Sequence, residues 1–151
     1  MANTKRINQV LEGLGYEAKE GKSIVVSYAP VNLSDRLVKL LWNNFFSLSF
    51  CKASIVLLPF SHTGWADVKK EVALELPYDS ILGVQVTEAG LNYRIDIRFE
   101  DEVISLMAQQ AELSALRNSG VYSLEDWTFI NNWHAKNLQG TLEALKELGN
   151  K

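Results

Sequence analysis

The sequence predicts a mainly β protein of the α+β class: a strongly bent antiparallel sheet, or partly open barrel, of six to seven strands, closed by a C-terminal helix and preceded by an N-terminal one. Three observations predict it. Residues 91–99, LNYRIDIRF, alternate without a break, with Leu91, Tyr93, Ile95, Ile97 and Phe99 set against Asn92, Arg94, Asp96 and Arg98. That is the period of a strand with one dry and one wet face. The neighbouring segments 71–77, 81–88 and 102–108 are joined by links too short for the crossovers of a parallel sheet. The end of the chain repeats its apolar residues at steps of three and four, the stripe of an amphipathic helix.

Each element follows in order. Ile7, Val10, Leu11 and Leu14 form one stripe of a short helix over about 4–14, stopped by Gly13 and Gly15. Ile24-Val25-Val26 reads as a strand ended by Pro30. Ser34 is placed to cap a helix over 35–43, with Leu37, Leu40 and Leu41 on one side. From Phe46 the period shortens to two through Leu48 and Phe50, and ASIVLLPF, 53–60, is a second β-rich run. SHTGWADVKK, 61–70, reads as a loop turning at Gly64. Val72, Leu74 and Leu76 alternate next, then Leu82, Val84 and Val86, and Ala89-Gly90 forms a tight turn in which glycine takes a positive φ. Strand 91–99 and strand 102–108 complete a meander that is expected to run from 71 to 107. Leu113 and Leu116 suggest a short helix stopped by Ser119-Gly120, and Ser123 with Asp126 resembles a capping box for the last helix. There the stripe runs Trp127, Ile130, His134, Leu138, Leu142 and Leu145, along one long helix or a pair broken near Asn131, and Gly149 ends it.

The dry face needs a cover, and the terminal helix is the element with a stripe to bury. Burying the five apolar residues of 91–99 contributes on the order of 10 kcal/mol gross, so a charge at Ile95 is expected to abolish folding. The chain has 151 residues, 47% of them apolar, enough to hold one domain's core without staples. One cysteine, Cys51, permits no internal disulfide, and its apolar neighbourhood makes it a small buried hydrophobe with an inert, reduced thiol. The absence of a signal-peptide plan and of a membrane-length apolar run leads to the expectation of a soluble, cytoplasmic protein. The net charge of −3 argues against nucleic acid, whose binders carry a basic surplus, and against an anionic lipid surface. Lys5-Arg6 and Lys69-Lys70 are only pairs.

Three stretches together, ASIVLLPF, then ALELPYDSILGVQVTEAGLNYRIDIRFEDEVISLMA, then NWHAKNLQGTLEALKELG, resemble the bacterial pleckstrin-homology-like domains, with LPYDSILGVQV as the nearest echo. The resemblance covers about 50–149 and implies a seven-stranded bent sheet closed by one C-terminal helix. It makes 1–151 a single such domain with an N-terminal helical extension, about 1–45, and a helical insert, about 108–120, both departures from the family's pattern. It implies a fold more than an activity, since these domains share no single function.

No catalytic or cofactor pattern stands out. His62 and His134 lack a second ligand at metal spacing, and no phosphate loop or GxSxG elbow is present. His134, in the apolar stripe, reads as a core or edge histidine with a satisfied hydrogen bond. Asp67, Glu71 and Glu75 read as outward residues rather than a carboxylate pair. Trp127 and Trp133 read as helix–sheet packing. The loop 61–70 gathers His62, Trp65, Lys69 and Lys70, and an exposed loop tryptophan is a common binding anchor. The expected function is therefore a non-catalytic docking module for a protein or peptide, not an enzyme, needing no cofactor. It would use a sheet edge or the loop 61–69. The alternative is a small-ligand-binding protein or enzyme with a pocket at the mouth of the curled sheet. A dry face that is wholly aliphatic or aromatic on 72–76 and 91–99 favours the first, and homo-oligomer formation is left open.

Overall fold

The structure, a computed structural model, describes residues 4–28, 45–60, 68, 70–90, 92–100, 102–109 and 133–149. Helix α1 (Thr4–Gly13) precedes β1 (Ala18–Tyr28), β2 (Phe46–Cys51), β3 (Ser54–Pro59), β4 (Leu74–Pro77), β5 (Gly83–Ala89), β6 (Asn92–Arg98) and β7 (Val103–Gln109), and helix α2 (Trp133–Gly149) follows. The seven strands form one sheet, antiparallel throughout, in the order β4-β3-β2-β1-β7-β6-β5. The sheet is strongly bent and not closed. The expected helix over 35–43, residues 110–120 of the helical insert expected over about 108–120, the Ser123 cap, and Trp42, Trp65 and Trp127 lie outside the described residues.

The meander is shorter than the sequence suggested. β5, β6 and β7 are consecutive neighbours, but β4 pairs with β3 at the opposite edge of the sheet. The link between β4 and β5 therefore joins the two edges. Pro77 stops β4, and a 3-10 turn over Tyr78–Ser80 redirects the chain. So short a link reaches only because the bend brings the two edges together. Tyr78 fixes this corner: its N–H donates to the Ala53 carbonyl at 3.2 Å, its hydroxyl donates to the Cys51 carbonyl, and its ring lies 6.0 Å from that of Phe50. The turn also shifts the apolar pattern by one residue. Ile81 is buried, while Leu82, expected on the dry face, is 56% exposed. The Leu82 N–H donates to the carbonyl of Arg98, the residue that also faces Gly83, so an extra residue sits in β5 and reverses Leu82.

β1 has more weight than an N-terminal extension would give it. It is the central strand, paired with β2 on one side and β7 on the other. Its two faces serve two cores. Ile24 and Val26 join Phe46, Leu48, Ile55, Leu57, Ile95, Ile97, Leu106, Leu138, Leu142 and Leu145 beneath α2. Val25 joins Ile7, Val10, Leu11, Cys51, Val56 and Leu58 beneath α1. Helix α1 stops at Gly15, whose φ of 94° lets the Tyr16 N–H reach the Leu11 carbonyl at 2.9 Å and the Gly15 N–H reach that of Glu12 at 3.1 Å, a paired C-terminal lock. Leu14 lies between the last helical residue, Gly13, and this stop, and is exposed. β7 runs through Gln109, two residues into the segment expected as a helical insert.

Double coverage explains why β2 and β3 are buried at every position, whereas β6 buries only Ile95 and Ile97 within the strand. α2 crosses from β1 to β5 and covers the apolar faces of both half-sheets. Its last residue makes the tightest approach: a Cβ on Gly149 would stand 2.4 Å from the Val84 carbonyl oxygen and 3.1 Å from its nitrogen, so only glycine lets the helix end lie on β5. Ile95 is fully buried beneath this helix. Ile95→Ala is expected to cost about 2–5 kcal/mol and Ile95→Asp to leave no folded protein, both read by urea denaturation followed by circular dichroism.

Candidate functional site

The binding residues expected from the sequence are not brought together among the described residues. His62, Trp65 and Lys69 lie outside them, and Lys70 is an exposed residue ahead of β4. Glu71 and Glu75 are exposed, as expected of outward positions. Among the described residues no three His, Cys, Asp or Glu side chains are grouped so as to hold a metal ion, and no helix is long and apolar enough to cross a membrane.

The two side chains with the strongest chemical potential are both tied into the core. Cys51 is 1% exposed, and burial, with a contribution from Glu75, pushes its thiol up to about 11. It is therefore uncharged and shielded at neutral pH. His134 is fully buried. Its Nδ1 accepts from the Val25 N–H at 2.9 Å, which leaves Nε2 as the protonated nitrogen, donating to the Gln109 carbonyl at 2.8 Å. The β1–β7 ladder pairs Ser27 with Met107 and Tyr28 with Leu106. Continued in the same register, it would set Val25 against Gln109. The imidazole stands where that direct bond would be, spanning a gap between strands that have begun to diverge. One turn along α2, the Asn137 side-chain amide donates to the Ser23 carbonyl at 3.0 Å, so the helix serves the same open side of β1 twice.

A different place has the geometry of a site. On β5–β7 one face lies under α2 and the other is turned to solvent. Cross-strand register sets Gln85, Asp96 and Ser105 in one row of the outer face and Gly83, Arg98 and Val103 in the next. Arg94 donates through Nε to both oxygens of Asp96, at 3.1 and 3.2 Å, and through Nη2 to Ser105 Oγ at 3.3 Å. The Ser105 hydroxyl in turn donates to Asp96 Oδ1 at 2.5 Å. The side chains of this ion pair are 39% and 25% exposed, so it is a half-buried, mutually oriented array rather than two loose surface charges. Beside it opens a depression of about 510 Å³. Its lining includes Gly83, Gln85 and Arg98, together with the exposed Leu82 and the helix end at Gly149. Arg98 leans over its cross-strand partner: its Nη2 would be 3.3 Å from a Cβ at Gly83.

Sequence reasoning took Arg94, Asp96 and Arg98 only as the wet alternates of a strand. The available signal was their sign order, plus, minus, plus, on one face. Comparison with known proteins found no matching family model, no matching curated protein and no matching solved structure.

Two outcomes follow from the buried groups. Burial lowers the His134 pKa to about 4, against a weaker opposing effect of the Gln109 hydrogen bond. The unfolded chain, with an ordinary histidine near 6.5, then takes up a proton before the folded one. Stability from this group is complete above about pH 6.5 and falls as the pH drops toward 4, by about 3 kcal/mol in all. Denaturation midpoints from pH 7 to 4 are expected to fall less steeply in His134→Gln than in the parent. Thiol labelling at neutral pH is expected to be slow in the folded protein and fast in 6 M guanidinium; rapid labelling of the folded protein would place Cys51 at the surface.

Proposed function

We propose that the chain is a non-catalytic docking module that binds a protein or peptide segment on the outer face of β5–β7. One observation carries the reading. The same sheet is covered on both faces at β2 and β3, yet at β5–β7 its outer face holds an ordered polar array, a depression and an exposed Leu82. An arginine-bearing depression with an apolar residue at its rim is the composition of a recognition surface. The rest of the molecule supports the same reading. The face beneath α2 is filled by apolar side chains, which favours a packed interior over a ligand chamber. Both nitrogens of His134 are engaged by backbone, and the Cys51 thiol is shielded. A bent seven-stranded sheet with a C-terminal helix across it is also the architecture that the resemblance to bacterial pleckstrin-homology-like domains implies, and in such folds binding is a matter of surface rather than of fold.

The test is selection of binders from a random heptapeptide display library on the full chain, followed by mapping of the enriched peptides on the ¹⁵N-labelled protein. The expected result is that the amides of Gly83, Gln85, Arg98 and Ser105 shift together and saturate. Enriched peptides that move only the segment 61–69, with His62 and Trp65, would transfer the partner surface to that segment and overturn this placement.

A further inference from the structure

We propose that Arg98 is the receptor for an acidic side chain, aspartate or glutamate, on the protein segment that docks on the outer face of β5–β7. The inference rests on the docking reading above and names the partner's chemistry.

Charge gives the first argument. Arg94 and Asp96 neutralise one another, and Ser105 ties the pair into one array. Arg98 sits on the same face of the same strand, two residues beyond Asp96, about 7 Å on. Its carbonyl accepts from the Leu82 N–H, but among the described residues its guanidinium has no hydrogen-bond or ion-pair partner, and its side chain is exposed. The charged residues lining the depression thus sum to one positive charge, on a chain whose total is −3. The patch is a local exception to the chain's overall sign, and it complements a single carboxylate.

Position gives the second. An arginine on a sheet ordinarily stands over its own strand or its immediate neighbours' side chains. Here the residue opposite is Gly83, so nothing stands in the way and the guanidinium lies over β5, with Nη2 3.3 Å from where a Cβ would be. Strands are about 4.8 Å apart, so this placement carries the charge one strand toward the depression and toward Leu82. A docked segment that contacts Leu82 therefore passes within reach of the guanidinium fork, whose planar donors match a carboxylate in a two-bond geometry. The Arg94 array supplies order: it fixes Asp96, the nearest competing carboxylate, on Arg94 and Ser105 and so keeps it from Arg98.

The experiment compares selection from the same heptapeptide library on the parent, on Arg98→Gln and on Arg98→Glu, with circular dichroism and melting curves for each. Since Arg98 is exposed, both variants are expected to melt near the parent; were Arg98→Glu to fail to fold, Arg98→Gln decides. Peptides enriched on the parent are expected to carry Asp or Glu. That preference disappears on Arg98→Gln and turns to Lys or Arg on Arg98→Glu. For one enriched peptide, replacing its carboxylate by the amide is expected to weaken binding ~3–10-fold on the parent and to change nothing on Arg98→Gln, the signature of a direct pair. An amide peptide equally weakened on both proteins, or acidic enrichment that ignores residue 98, overturns the proposal. Peptides that map to this face without an acidic residue overturn it while leaving the docking reading in place, and a library that yields no binder to this face overturns both.

Discussion

The imidazole of His134 holds the two halves of the sheet at the separation the rest of the fold requires. β1 pairs with β2 at Ala18 and from Ser23 to Val26, whereas among the described residues its ladder with β7 holds Ser27 with Met107 and Tyr28 with Leu106 and does not continue back to Val25. Divergence leaves β1 with backbone groups on its β7 side that have lost their ladder partners, and an unpaired buried N–H or C=O costs about as much as a lost hydrogen bond. A water molecule or a polar side chain must fill the gap. The chain uses a neutral histidine, which can accept from one strand and donate to the other at once. Asn137 extends the service to Ser23, and Lys22 reaches back to the Gly140 carbonyl at 3.1 Å. The helix is thereby aligned along β1 by polar contacts and pressed onto the sheet by Leu138, Leu142 and Leu145.

From that divergence the remaining geometry follows. Once β7 leaves β1, the β5–β7 meander swings toward the far edge, the two edges of the sheet approach, and the link over Tyr78–Ser80 becomes long enough to pass between them. α2 can then reach from β1 to β5 and place its last glycine against Val84. The same arrangement decides coverage. α1 follows the outer face of β1–β3, where Val25, Val56 and Leu58 meet it, and lies away from β5–β7. The outer face there remains in solvent, which is why its alternating positions carry Gln85, Arg94, Asp96 and Arg98. A charged array persists on this half because its members satisfy one another.

Period and turn chemistry made most of the elements legible. Strict alternation in 91–99 located β6 and its buried face, Gly90 took its positive φ of 60° in the β5–β6 turn, and the stripe through His134, Leu138, Leu142 and Leu145 ended at Gly149 as the spacing suggested. His134 was readable as a buried histidine with satisfied bonds, although nothing local revealed that its partners are two strands far apart in sequence. Pairing across distance was not legible. The short link after Pro77 looks like a hairpin, because link length constrains neighbours only when the sheet is flat, and the bend that defeats this rule is a property of the whole assembly. Leu82 was misplaced for a related reason: one extra residue at a strand start reverses every side chain before it. The outer-face site was missed because a wet face has no distinguishing period, and the meaning of Arg98 depends on the glycine that register places opposite it.

The edges of the sheet bear on where a partner can dock. A docking strand needs a row of free backbone groups, and neither edge presents a long one. On β4 the Tyr78 N–H bonds back to Ala53 beside β3, so alternation turns the backbone of Glu75 and Pro77 outward, and proline has no N–H to offer. On β5 the two-residue turn after Ala89 makes Ala89 and Asn92 the closing pair, which sets Val84, Val86 and Glu88 toward the open side. Val84 is the position that Gly149 covers. Strand addition would have to displace the helix end or pair with the short remainder beyond it. Such blunting is how sheets avoid unwanted partners at their edges, and its presence on both sides moves recognition from the edges to the face, where side chains rather than backbone do the selecting.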